Sequence, residues 1–333
     1  EGLVSEGITY STTLAGGIGN DGGDVRAGAT DASATTLRIG ANATVPTISN
    51  SGDILAITSD SEEDVNAGTI SELGGNATAI IVEEGGSLTS LVNTGMISAS
   101  AAGSGSSAFA VVDNAGKLTS FLNTGDVLAL IRDGSTGTTT ALDVRTSKSD
   151  FTFFNSGTIA GDIYLGDGND TFTVTGGSID GSLIFLGGGN DAVSLSDTSV
   201  SGTFSFTTGT KIATVRNTTL SAGFVETGAI IDLTVSDSDW TVLSDDGASF
   251  RTLDIQGGTM LRIEVDGVNN RAGTLSVSGI ATLAADTTIV PILRNYVRDQ
   301  QVFTLVEAGQ LNTSLVATAA VPADTSYMHN IRI

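Results

Sequence analysis

Phe121-Leu122-Asn123-Thr124-Gly125-Asp126-Val127 decides the fold, because the chain repeats it at a nearly fixed interval. The same pattern stands at Ile48-Ser49-Asn50-Ser51-Gly52-Asp53-Ile54, at Leu91-Val92-Asn93-Thr94-Gly95-Met96-Ile97 and at Phe153-Phe154-Asn155-Ser156-Gly157-Thr158-Ile159. The approach to the turn repeats as well. Ala79-Ile80-Ile81-Val82 leads through Gly86 and Leu88-Thr89-Ser90 into one copy. Phe109-Ala110-Val111-Val112 leads through Gly116 and Leu118-Thr119-Ser120 into the next, in register with the first. Ala141-Leu142-Asp143-Val144 opens another copy after a slightly longer interval. Short strands at constant phase, with a period of about 30 residues, are the mark of a solenoid, in which equivalent residues stack roughly 4.8 Å apart. The register predicts one apolar column of Leu91, Phe121 and Phe153, and a second of Ile97, Val127 and Ile159. It also predicts an asparagine ladder of Asn50, Asn93, Asn123 and Asn155 with amides bonded from coil to coil. The glycine after each asparagine is expected to take a left-handed turn conformation. The wider gap from Asn50 to Asn93 predicts a degenerate coil or a loop, with Asp60-Ser61-Glu62-Glu63-Asp64 as the protrusion.

Further along, the interval shortens. Leu165-Gly166-Asp167-Gly168-Asn169-Asp170 returns as Leu186-Gly187-Gly188-Gly189-Asn190-Asp191. Gly202-Thr203-Phe204-Ser205-Phe206 opens a third copy, and alternation continues through Leu233-Thr234-Val235 and Leu261-Arg262-Ile263-Glu264-Val265. From about residue 270 the strands carry more charge, with Arg294, Arg298 and Asp299, and a solenoid needs its last coil covered. The expected organisation therefore begins with an N-terminal coil or cap at 1–35. Coils of about 30 residues follow over 36–160, and coils of about 21 residues over 161–269. A C-terminal cap closes the chain at 270–333. The fold class is all-β, a right-handed parallel β-helix closed by that cap.

Composition agrees. Of 333 residues, 40% are hydrophobic, which is enough for a core, and 43 are Gly against 3 Pro. Gly, Asn and Asp supply tight turns, while Val, Ile, Thr and Phe suit strands. The net charge of −23 repels phosphate, so nucleic acid and anionic lipid are not expected as direct partners. The absence of Cys excludes disulfides and thiolate metal sites. No run approaches the roughly 18 apolar residues of a membrane-spanning helix. The residues from Glu1 carry no leader pattern.

The order of these elements carries a family resemblance. The Asn-(Ser/Thr)-Gly coils and the Leu-Gly-x-Gly-Asn-Asp coils come first. Leu275-Ser276-Val277-Ser278-Gly279-Ile280-Ala281-Thr282-Leu283 and Phe303-Thr304-Leu305-Val306-Glu307-Ala308-Gly309 follow. Together they resemble the passenger domain of a type V bacterial autotransporter, over nearly the whole chain. The resemblance implies an extracellular or surface-displayed β-helix, exported across the outer membrane through a β-barrel in cis. That barrel would have to lie beyond Ile333. Residues 270–333 would then act as an autochaperone that starts folding. The expected function is a non-enzymatic stalk or adhesin scaffold with cell-surface or self-association partners. Two alternatives stand beside it: a subunit of a surface filament or layer, and a β-helical polysaccharide lyase or hydrolase.

Chemical motifs are few. Gly166-Asp167-Gly168-Asn169-Asp170, echoed at 187–191, overlaps the nonapeptide turn of calcium-binding β-rolls, which makes Asp167, Asp170 and Asp191 the calcium candidates. The favoured reading is a supported turn in which Asp170 and Asp191 cap backbone N–H groups, with no cofactor. His329 is the one histidine, has no Gly-x-Ser-x-Gly partner motif, and reads as a solvated terminal residue. Asp237 with Asp239, Asp245 with Asp246 and the Asp60–Asp64 run are the carboxylate groupings a glycosidase could use. Asp237 and Asp239 would share a strand face, but continued alternation from Leu233 and Val235 aims both at the core, so a turn is expected there. Trp240 reads as a core or groove-covering residue. No catalytic residue is assigned.

Overall fold

The computed structural model describes residues 13–59, 74–132, 136–244, 247–295 and 302–313. Every regular element among them is a β-strand, and nearly all pairing is parallel. The chain is a parallel β-solenoid in two compact units, one of residues 1–171 with 177–187, the other of residues 172–176 with 188–333.

In the first unit each coil up to Tyr164 has three strands. The first column stacks Ile18–Asn20, Thr44–Asn50, Ser87–Asn93, Ser120–Asn123 and Thr152–Asn155. A second column runs through Asp24–Thr30, Asp53–Ser59, Met96–Ala101, Asp126–Ile131 and Thr158–Ala160. A third holds Ala34–Ile39, Ala77–Val82, Ala108–Asp113, Thr139–Asp143 and Asp162–Tyr164. Period-2 alternation sends one set of side chains inward from each column. Ile48, Leu91, Phe121 and Phe153 therefore stack, as do Ile54, Ile97, Val127 and Ile159, and as do Ile80, Val111, Leu142 and Ile163. All twelve are buried, and each contributes about 1.5–3 kcal/mol of burial. Asn50 pairs directly with Asn93, so the long interval is one coil with an insertion. The acidic run at 60–64 falls outside the described residues.

The asparagine ladder is present and one rung longer than the four asparagines read from the repeat. Asn20 Nδ2 donates to Asn50 Oδ1 at 2.8 Å. The donations from Asn50 to Asn93, Asn93 to Asn123 and Asn123 to Asn155 are each 2.7 Å. Asn50, Asn93, Asn123 and Asn155 also donate to the carbonyl of Gly52, Gly95, Gly125 and Gly157 two residues on, at 2.8–3.0 Å. The glycines differ from expectation. Gly52, Gly95, Gly125 and Gly157 are not left-handed. They are required because a Cβ on each would collide with a glycine carbonyl of the coil before it, Gly23, Gly52, Gly95 and Gly125 in turn.

The coil shortens by losing a corner. Between the second and third columns the earlier coil spends residues 102–107, whereas Ala160 and Asp162 are separated by Gly161 alone, at φ 119°. In the next coil one strand, Ser178–Phe185, serves both columns, pairing with Thr158–Ala160 and with Ile163–Tyr164.

The second unit keeps this two-strand plan. Asp191–Ser196, Gly209–Arg216, Ala229–Ser236 and Thr252–Ile255 stack in one column, and Ser199–Phe206, Thr219–Ser221 with Phe224–Glu226, Asp239–Val242, Met260–Asp266 and Thr288–Asn295 in the other. Its coils first advance by 20 residues, as from Asn190 to Thr210, and later lengthen to 28, as from Met260 to Thr288. Phe204 and Phe224 stack at 5.3 Å, and Trp240 and Phe250 meet Phe224 edge-on at 5.6 Å each. Thr274–Leu283 pairs on one side with Gly247–Phe250 and Thr252–Ile255, and on the other with Val306–Thr313.

Candidate functional site

The corner turns hold most of the candidates. In the second unit the turn from first to second column places Asp197, Asn217 and Asp237 one coil apart, each left-handed at φ 54°, 47° and 49°. Short polar side chains tolerate that conformation. The residue after each is buried: Thr198, Thr218 and Ser238, followed in the next coils by Thr259 and Thr287. Thr218 Oγ1 donates to the Arg216 carbonyl and Ser238 Oγ to the Ser236 carbonyl, while Ser238 Oγ accepts from the Thr218 N–H. A column of buried hydroxyl residues thus marks this turn, joined from coil to coil by the Thr218 N–H bond to Ser238 Oγ, whereas the Thr259 and Thr287 hydroxyls make no hydrogen bond among the described residues. The sequence signal is an apolar residue, any residue, Asp or Asn, then Thr or Ser, and it is faint in a chain so rich in those types.

This turn divides the carboxylate pair. Asp237 lies in the turn itself, as the alternation argument required. Asp239 starts the next strand, where its carboxylate is held by Arg262 through bonds of 2.7 and 2.9 Å. That pairing raises the Arg262 pKa. Trp240 follows with no exposed surface, its indole N–H donating to the Ala222 carbonyl at 3.3 Å, so it is core. Asp245, Asp246 and His329 lie outside the described residues.

The calcium candidates have other occupations. Asp167 pairs with Lys148 on the surface. Asp170 is buried and Oδ1 accepts the Phe151 N–H at 2.9 Å, a backbone cap. Asp191 is buried in an ion pair with Lys211, whose Nζ also donates to the Gly189 carbonyl at 3.0 Å and lies 5.9 Å from the Phe206 ring. The turn motif predicts that Asp191 caps backbone N–H groups; the partner the structure shows for it is a buried cation, Lys211, which sequence reading missed. Among the described residues no group of three or more acids and histidines is arranged to hold a metal ion.

Other acids organise turns. Asp113 is buried and accepts four backbone N–H groups, from Ala115, Gly116, Lys117 and Leu118. Asp266 accepts from Asn295 and Asn269 side chains and from two backbone N–H groups, Val268 and Asn269, which lowers its pKa to about 2.

One surface concavity of about 510 Å³ lies in the second unit. It crosses successive strands. Ala229–Ile231, Ser249–Arg251, Ser276–Ser278 and Glu307–Gly309 line it from consecutive coils, with Glu226 at one end. The coil order is fixed by the Arg251 N–H bond to the Ile231 carbonyl and by the pairings Phe250 to Val277 and Ser276 to Glu307. Phe250 and Val277 are buried beneath the floor, and Ile230 is 43% exposed at one end. Arg251 is bound to Asp232 through both its Nε and its NH2 nitrogen. That hydrogen bonding lowers the Asp232 pKa and raises that of Arg251.

Comparison with protein-family models, with curated proteins and with solved structures finds no match for this chain.

Proposed function

We propose that this chain is an exported β-helical passenger of the autotransporter type, acting at the cell surface as a non-enzymatic stalk or adhesin scaffold. The observation that carries the reading is the in-register stack of the first unit, with its continuous amide ladder from Asn20 to Asn155. Each coil supplies the template for the next, so folding can advance along the stack with no other input than the previous coil. A chain emerging unfolded from a pore could therefore be drawn outward as coils form. The winding is right-handed, as parallel strand crossovers almost always are. Residues 270–333 are the cap, supported by the sequence resemblance and by the strand Val306–Thr313 that pairs on Thr274–Leu283.

Expression of the full gene in a bacterial host, followed by protease treatment of intact cells, tests this. The reading expects cleavage of the passenger at the surface and loss of that signal with Leu305→Asp, which burdens the cap. A passenger that stays protected inside the cell, or a Leu305→Asp chain exported normally, contradicts it.

Self-assembly is a second reading, favoured by the outward column of Val92, Leu122 and Phe154 in the first unit. Leu122 is 37% exposed there. Light scattering of the purified chain decides it: growth of particles that Leu122→Ser abolishes supports assembly, and a dilute monomer under all salt conditions removes it.

A further inference from the structure

We propose that the groove of the second unit binds a short extended peptide carrying two basic residues four positions apart. Three observations carry this. First, the groove runs across the strands, so its length is set by the coil spacing. Three steps separate the Glu226–Ile230 coil from the Glu307 coil, which is roughly 14 Å at about 4.8 Å per step. An extended chain advances about 3.3 Å per residue, so four residues span about 13 Å.

Second, the charge is placed at the two ends. Glu226 and Glu307 both line the groove. The cation between them, Arg251, is already bound to Asp232 and presents a neutralised wall. The groove as a whole is therefore complementary to separated positive charges.

Third, the middle suits a peptide main chain. Ser249 and Ser276 offer hydroxyls that donate or accept, and Ser278, whose hydroxyl donates to the Phe250 carbonyl at 3.3 Å, can still accept. A strand adding to a sheet edge would lie along the strands instead of across them, so this mode differs from edge pairing. The proposal concerns binding alone and does not depend on where the chain resides.

The test uses the whole chain and two labelled pentapeptides of identical composition, Lys-Ser-Leu-Ser-Lys and Lys-Lys-Ser-Leu-Ser, read by fluorescence anisotropy. The proposal expects the first to bind about tenfold tighter or more. It also expects Glu226→Gln with Glu307→Gln to erase that preference. Glu84→Gln with Asp197→Asn removes the same charge from exposed sites elsewhere and should leave the preference intact. Equal binding of the two peptides, no binding of either, or equal loss in both double variants would overturn it. The peptide comparison needs no variant, so a folding defect in either double variant leaves the proposal exposed to refutation.

Discussion

Asn123 shows how much one side chain does in this fold. Its Nδ2 donates to Asn155 and to the Gly125 carbonyl, and its Oδ1 accepts from Asn93, while the side chain itself has no exposed surface. Asn123→Ala removes one partner from Asn93 Nδ2, which keeps the Gly95 and Asp126 carbonyls, and one from Asn155 Oδ1, which keeps the Gly157 N–H, and should cost about 1–3 kcal/mol in urea unfolding. Asn123→Asp should cost more, since it buries a charge whose oxygen faces the Asn155 oxygen. Glycines sort by a different rule. Gly125→Ala drives a Cβ into the Gly95 carbonyl and should cost about 3 kcal/mol or more. Gly105→Ala, at φ 70° with open space around it, should cost only about 1 kcal/mol for the left-handed strain. Equal destabilisation at the two glycines would mean that contact between coils is not what selects Gly125. The asparagine column could be read from sequence because each rung carries a glycine at a fixed offset. The reason for that glycine could not, since left-handed turns and close approach call for the same residue.

At the scale of elements, the two-strand coil buries the Asp191–Lys211 pair completely. Lys211→Ala should cost about 3–5 kcal/mol because the carboxylate is left uncompensated, and the double change Asp191→Asn with Lys211→Met should recover most of it. A double variant no better than the single one would show that the pair itself is a net source of stability. Lysine is among the residues least often buried, so nothing in the sequence singled this one out. The aromatic core was easier to read, because Phe204, Phe206 and Trp240 sit at inward phase in strands of clear alternation. The hydroxyl column of Thr198, Thr218 and Ser238 was not, because Thr and Ser fill the outward faces as well. The turn after Met260–Asp266 adds a pH dependence. The Asp266 pKa is held at about 2 against 3.8 for a free carboxyl. A depressed folded-state pKa contributes stability that is complete above about pH 4 and disappears as pH falls through about 2. Asp266→Asn should flatten that part of an acid unfolding curve, and an unchanged curve would remove Asp266 as its source.

For the whole molecule, a net charge of −23 predicts self-repulsion that salt relieves. The thermal midpoint should rise between low and moderate ionic strength, and a fall would mean that the surface ion pairs outweigh the repulsion. Residues one coil apart are neighbours in register throughout the first column of the first unit. The chain contains no cysteine, so introduced thiols report on it without interference. Val92 and Leu122 are register partners on the outer face of the first unit, and Phe154 lies one coil further on. Partners roughly 4.8 Å apart fall within disulfide reach, whereas about 9.6 Å does not. Mild oxidation of Val92→Cys with Leu122→Cys should give rapid intramolecular crosslinking, and of Val92→Cys with Phe154→Cys almost none. Failure of the first pair, or equal crosslinking of both, would contradict the coil stack.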